Sequence, residues 1–198
     1  MEQNWQMLKK KLKDYQKMKN LIQTYENVIS ESLSKQLIAM FERFPQHHEE
    51  VVLDGHRSFK QVTLQLHEQW KPFEETLQET FFNYISKYMN DCNITDRMFP
   101  PKFAFENFRM KRYLPNDIDE FNNHVDVGSI DSAPRFLVFF LYLNDNKGGH
   151  TDFPQFDISV QPKTGRMTMF PPMWTHLHAG RKPIDEPKYI IGSYLHYV

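Results

Sequence analysis

The sequence predicts an α+β protein, a double-stranded β-helix (jelly roll) with supporting N-terminal helices. Three observations predict it. Glycine and proline are sparse before Phe99 and cluster after it. Apolar residues recur at helical spacing in the first half of the chain. From Ala104 the period drops to two, in short segments separated by turn residues. Helices first and many short strands after is the pattern of helices lying on one face of an antiparallel double sheet.

Trp5, Leu8, Leu12, Tyr15, Leu21 and Ile22 recur at near-helical spacing with lysines between them, which predicts an amphipathic helix over 3–21. A second helix is expected over 32–44, with the stripe Leu33, Leu37, Met40, Phe41 and Phe44. Ser30 or Ser32 would cap it, and Pro45 stands just past its end. A third fits 71–90, where Phe73, Leu77, Phe81, Tyr84, Ile85 and Tyr88 share a face and Pro72 occupies the first turn. Strands are expected at 104–113, 121–127, 135–143, 157–161, 166–170, 174–179 and 188–197. The clearest loops are 144–149, 162–165 and 182–187, each built of turn residues.

The chain has 198 residues, a length that suits one domain, with 1–100 as mainly helical support and 104–198 as the jelly-roll core. Its formal net charge of −1 and pI of about 6.8 argue against a nucleic-acid binder, which needs a basic face to displace counterions. Apolar residues make up 40% of the chain, enough for a core, so disorder is not expected. The longest apolar run, Phe136–Leu143, is too short to span a membrane, and the N-terminus lacks the apolar stretch of a signal peptide. Cys92 is the only cysteine, which rules out an intrachain disulfide and suits a reducing compartment. A cytoplasmic protein with no membrane partner is the expectation, as a monomer or a homodimer.

His124 and Asp126 are two apart, so on a strand both side chains leave one face and offer a nitrogen and an oxygen ligand to one point. One more histidine completes the two-histidine, one-carboxylate set typical of non-haem Fe(II). His176 and His178 are both available on a later predicted strand. Lys188 follows His178 by ten positions, and Tyr142 ends an aromatic strand between the ligand elements. An ammonium and a phenol there could hold the far carboxylate of a dicarboxylic acid whose other end chelates the metal. The plainer alternatives are a surface His-Asp pair, half-buried strand tyrosines at Tyr113 and Tyr142, a loop histidine at His150 and an Arg135 paired with an acidic neighbour.

At these residues the sequence resembles the Fe(II)/2-oxoglutarate-dependent dioxygenases, and within them the prolyl 4-hydroxylase branch, over roughly 105–197. Arg112 and Tyr113, eleven residues before His124, resemble the opening strand of that family. The run Arg135–Asn144 resembles its Tyr-Leu-Asn strand, and Gly148–Pro154 its Gly-Gly-x-Thr-x-Phe segment. Pro162–Pro171 is similar to the strand leading to the distal histidine, and His178–Pro183 with Lys188 and Tyr189 to the closing His-Ala-Gly and basic-aromatic pair. The family's glycines are missing from 115–120, which implies a differently shaped loop before His124.

The resemblance implies iron on His124, Asp126 and His178, with His178 preferred to His176 because His176 would stretch the spacing to Lys188 to twelve. It implies the C5 carboxylate of 2-oxoglutarate on Lys188, helped by Tyr142, and Tyr113 facing the cofactor or substrate. O₂ would be the oxidant and ascorbate the reductant, with 2-oxoglutarate decarboxylated to succinate and CO₂. A proline in a peptide or protein is the implied substrate, approached past Arg109, Lys111, Trp174 and Arg181. The segment 114–123 would then act as a mobile lid whose Asp117, Asp119 and Glu120 favour basic peptides. Two other readings stand beside this one. The same chemistry could act on a free amino acid, another small molecule or a nucleobase, or the jelly roll could be a non-catalytic metal-binding module.

Overall fold

The computed structural model describes residues 6–7, 16–53 and 57–198. Most of the helix expected over 3–21 therefore lies outside the described residues; residues 16–19 are helical. Helix α1 runs Glu31–Arg43, with the Ser30 hydroxyl accepting from the Leu33 N–H at 3.1 Å and Arg43 in the last turn. Helix α2 runs Lys71–Asp91 with Pro72 in its first turn, where the missing N–H has no helical partner to lose.

Among the described residues twelve strands follow one another as β1 (Gln23–Tyr25), β2 (Glu49–Leu53), β3 (Arg57–Thr63), β4 (Phe103–Phe105), β5 (Arg109–Tyr113), β6 (Phe121–His124), β7 (Arg135–Tyr142), β8 (Thr151–Phe153), β9 (Ile158–Val160), β10 (Met167–Phe170), β11 (His178–Gly180) and β12 (Lys188–Tyr197). They form a large antiparallel sheet in the order β1-β10-β7-β12-β5-β3-β2, with β4 paired to β12, and a smaller sheet in the order β6-β11-β8-β9. This is the expected jelly roll with its helices on one side.

Period-two alternation splits the large sheet between two cores. Met110, Phe139, Leu141, Met167, Met169 and Ile191 face the helices, packing with Leu37, Phe41, Leu77 and Phe81. Their neighbours Tyr113, Val138, Tyr142, Phe170, Ile190 and Tyr194 face the small sheet, packing with Phe153, Phe156 and Val160. The second core is the layer that holds the site.

Several strands depart from expectation. The expected strand at 104–113 is two, because β4 pairs with one end of β12 and β5 with the other, and 106–108 turn between them. The strand at 121–127 stops at His124. Of the expected strand at 174–179 only 178 and 179 belong to a strand, β11. Strands β1, β2, β3 and β8 carry no clear alternation. In β3, Phe59 faces one core and Val62 the other, so burial on both faces hides the period. Among the described residues no helix is long and apolar enough to cross a membrane.

Candidate active site

His124 and His178 are direct cross-strand partners of β6 and β11, which sets their rings 4.3 Å apart between centroids. Asp126 lies beyond the end of β6. Its backbone N–H donates to the Pro172 carbonyl at 2.9 Å, and that bond turns the carboxylate back toward the two rings. The Asp126 oxygens stand 3.4 Å from His124 Nε2 and 3.4 Å from His178 Nε2. One ligand atom from each residue lies within 4.8 Å of the others.

The Nδ1–H of His124 donates to the Asn122 carbonyl at 2.7 Å, and that of His178 to the His176 carbonyl at 3.0 Å. These bonds assign the tautomer and leave both Nε2 lone pairs pointing inward. Burial pushes the His178 imidazole down to about 4, so it is neutral at pH 7 and able to act as a ligand. Burial by itself would raise the Asp126 carboxyl. The neighbouring His124, His178 and Lys111 outweigh it and hold the group below the usual carboxylate range. His178 Nε2 and Asp126 Oδ2 are buried with no hydrogen-bond partner. Each such atom costs about 1–3 kcal/mol, a penalty that a shared cation removes. Two imidazoles and one carboxylate are the donor set that suits Fe(II), so the residues present fit that ion. The rings of Phe153 and Phe170, 5.9 and 4.8 Å from His178, wall this point off from water.

Lys188 opens β12 opposite Tyr113 of β5. It is 2% exposed, and its Nζ donates to the carbonyls of Gly149 at 2.9 Å and Arg181 at 3.1 Å. The Tyr113 ring lies 4.3 Å from the same nitrogen. Gly149 has a φ of +61, and a Cβ there would stand 3.0 Å from Lys188 Cδ, so glycine lets the lysine stem pass. Burial, with Lys111 adding to it, pulls the Lys188 ammonium down to about 7. Among the described residues no carboxylate lies within ion-pair distance of it, so an anionic group of a ligand suits the position. The Tyr142 hydroxyl is 2.6 Å from Thr151 Oγ1 and is buried beside the same end of the barrel.

A cavity of about 470 Å³ opens onto His124 and Asp126, lined also by Arg109, Lys111, Arg135 and Tyr194. Residues 108–196 match the family model of the 2OG-Fe(II) oxygenase superfamily. Over those residues the chain carries a 2-oxoglutarate- and Fe(II)-dependent oxygenase domain. The non-catalytic module is thereby set aside, and the family implies Fe(II), 2-oxoglutarate and O₂ as its reactants.

The oxygenase resembles three solved structures in fold. A prolyl hydroxylase from Trichoplax adhaerens, in complex with a hypoxia inducible factor oxygen degradation domain peptide fragment, has 16% identity and a TM-score of 0.71, over 97% of this chain and 92% of that one. A viral collagen prolyl hydroxylase from Paramecium bursaria Chlorella virus-1, as its 2OG complex, has 19% identity and a TM-score of 0.62, over 90% and 96%. A prolyl-4-hydroxylase from Pseudomonas putida has 14% identity and a TM-score of 0.63, over 90% and 93%. Comparison with curated protein sequences finds no match.

The other expected site residues of the oxygenase divide. His176 is buried but turned away from His124, Asp126 and His178: its Nε2–H donates to the Met18 carbonyl at 3.1 Å, and its Nδ1 accepts from Thr175 at 2.8 Å. Arg109 and Lys111 line the cavity. Trp174 is 79% exposed and outside the lining, and Arg181 is occupied by Asp152 at 2.6 Å. His150 also pairs with Asp152, at 3.3 Å.

The acidic lid is corrected by the structure. Asp119 is buried and accepts from the Leu114 N–H at 2.7 Å and from Asn116 Nδ2 at 3.1 Å, so it pins 114–119 to itself. Asp117 pairs with Lys182, and none of Asp117, Asp119 and Glu120 lines the cavity. A segment lacking glycine has closed on its own side chains, which removes the reason to expect a preference for basic peptides.

Two residues of the oxygenase site escaped sequence reading. Arg135 bonds Glu106 through two nitrogens, at 2.6 and 2.9 Å, and donates to the Asp126 carbonyl at 3.3 Å, with its guanidinium 4.1 Å from the Tyr194 ring centroid. The pairing with an acidic neighbour was expected, whereas the bond to the ligand loop was not. Tyr194 could have been found, since it shares the period-two face of β12 with Lys188.

Proposed function

We propose that this oxygenase hydroxylates proline within a peptide, with His124, Asp126 and His178 holding Fe(II) and Lys188 taking the far carboxylate of 2-oxoglutarate. The observation that carries this reading is the pair of orphaned buried atoms, His178 Nε2 and Asp126 Oδ2, in one dry core with an unpaired buried lysine. The peptide half of the reading is supported by the likeness in fold to three prolyl hydroxylases, one of them in complex with a peptide.

When bound, the ferrous ion with 2-oxoglutarate and O₂ supplies the oxidising power that couples decarboxylation, to succinate and CO₂, with hydroxylation of a substrate carbon. The chain supplies position and dryness. The Asn122 and His176 carbonyls hold the two imidazoles, and Pro172 with Arg135 holds the backbone of Asp126. Lys188 orients the dicarboxylate, with Tyr113 over its ammonium and the Tyr142–Thr151 pair beside it. The phenylalanines around His178 exclude water. Residues 1–198 then act as one catalytic domain. Ascorbate serves as the reductant that keeps iron ferrous, and a cytoplasmic setting suits the single Cys92.

Purified protein supplied with Fe(II), 2-oxoglutarate and ascorbate tests the reading against proline peptides, free amino acids and nucleobases. Succinate release coupled to the gain of one oxygen on a peptide proline is expected. Oxygen gained only by a free amino acid or a nucleobase overturns the peptide assignment.

A further inference from the structure

The cavity beside the metal ligands is cationic. Of its lining residues Arg109, Lys111 and Arg135 are basic, and Asp126 alone is acidic. Glu106 occupies Arg135 closely and reaches Arg109 only at 3.4 Å. Lys111 has no such partner: among the described residues no carboxylate lies within ion-pair distance, and its Nζ sits 5.1 Å from the centroid of the Phe59 ring. The charged groups that interact with it are Asp126, Arg109, Arg135 and Lys188.

Lys111 and Lys188 occupy different positions. Lys188 stands opposite Tyr113, whereas Lys111 stands two residues earlier on β5, opposite Ile190, a step of about 7 Å along the strand. Lys111 lines the cavity, while Lys188 is committed to the Gly149 and Arg181 carbonyls at the barrel end. A ferrous ion and a 2-oxoglutarate dianion together add no net charge, so loading the site with both leaves the cationic excess in place.

We propose that Lys111 is a specificity residue for the primary substrate, receiving a carboxylate that the substrate carries beside the carbon to be hydroxylated. This rests on the reading that 2-oxoglutarate takes Lys188. The carboxylate comes either from an acidic residue flanking the target proline or from a small carboxylic acid, and the two are separated below.

The first measurement is 2-oxoglutarate affinity by calorimetry on the Mn(II)-loaded protein. Lys111→Met should stay within about threefold of wild type, whereas Lys188→Met should lose tenfold or more. A loss in Lys111→Met equal to that in Lys188→Met gives Lys111 to the cosubstrate and overturns the proposal. The second is Fe(II)-dependent succinate release with proline peptides flanked by Glu, Gln or Lys, and with small carboxylic acids against their amides. The wild type should prefer the Glu peptide over the Gln peptide, or acids over amides, by roughly tenfold in kcat/KM. Lys111→Met should abolish that preference, and Lys111→Arg should retain it, which separates charge recognition from a folding defect. Hydroxylation of small acids alone fails the peptide reading while supporting the role of Lys111. Neutral and acidic compounds stimulating equally, or no acid stimulating at all, overturns it.

Discussion

Replacing Lys188 by methionine keeps most of the unbranched stem and removes the charge. An ammonium has three N–H donors, and two of those in Lys188 already go to the Gly149 and Arg181 carbonyls. One donor is left for a ligand. A single charge-assisted bond of about 1.5–3 kcal/mol corresponds to a ten- to hundredfold loss of 2-oxoglutarate affinity. The pH dependence adds a second signature. Burial brings this ammonium from its ordinary 10.5 to about 7, so the empty site loses its proton as the pH rises through neutrality. The dicarboxylate binds the protonated form, so affinity should be fullest below pH 7 and weaken by up to about tenfold per unit above it. Calorimetric titration of 2-oxoglutarate into the Mn(II)-loaded protein between pH 6 and 8.5 measures both. Lys188→Met should bind ten- to hundredfold more weakly at pH 6 and show a flatter profile. Wild-type affinity in that variant, or an unchanged slope, refutes the assignment of the lysine as the carboxylate clamp.

Asp126→Ala removes the one anionic donor and should abolish Mn(II) binding in an equilibrium titration. His178→Ala should do nearly the same, while His176→Ala should bind metal but lose about 1–3 kcal/mol in urea denaturation, because its two buried hydrogen bonds support the Thr175–Met18 contact. Gly149→Ala places a methyl against the Lys188 stem at a positive φ, and should raise the KM for 2-oxoglutarate with a smaller change in kcat. Phe81→Ala empties a fully buried position stacked on Phe108 and Phe139, and should cost about 3–5 kcal/mol in the same denaturation experiment without altering metal affinity.

The sequence by itself determined the fold class and the chemistry-bearing residue types. The stripe Leu37, Phe41 and the run Leu77, Phe81, Ile85, Tyr88 specify helices with one buried face, and the structure buries those side chains. The alternation in 135–142 and 188–197 specifies the two long central strands, because each face of those strands meets a different core. His124, Asp126, His178 and Lys188 were read as a group from the His-x-Asp pair and the family resemblance, and the structure brings His124, Asp126 and His178 together.

The tertiary structure decided what spacing leaves open. His176 and His178 are equivalent on an ideal strand, but β11 begins only at His178, and the turn before it sends His176 to the Met18 carbonyl, 158 residues away in sequence. Asp126 reaches the histidines through a bond to Pro172 rather than along a strand, which no local pattern encodes. Asp119 reads as a solvated loop acid and is a buried brace for Leu114 and Asn116. Lys111 reads as one of several basic residues on β5, and only closure of the second sheet over that strand's face turns it into an unpaired cation inside a cavity. His176, Asp126 and Lys111 share one physical reason. Local sequence sets backbone periodicity, whereas the partner of a buried polar group is chosen by whichever distant segment the packing brings within hydrogen-bond reach.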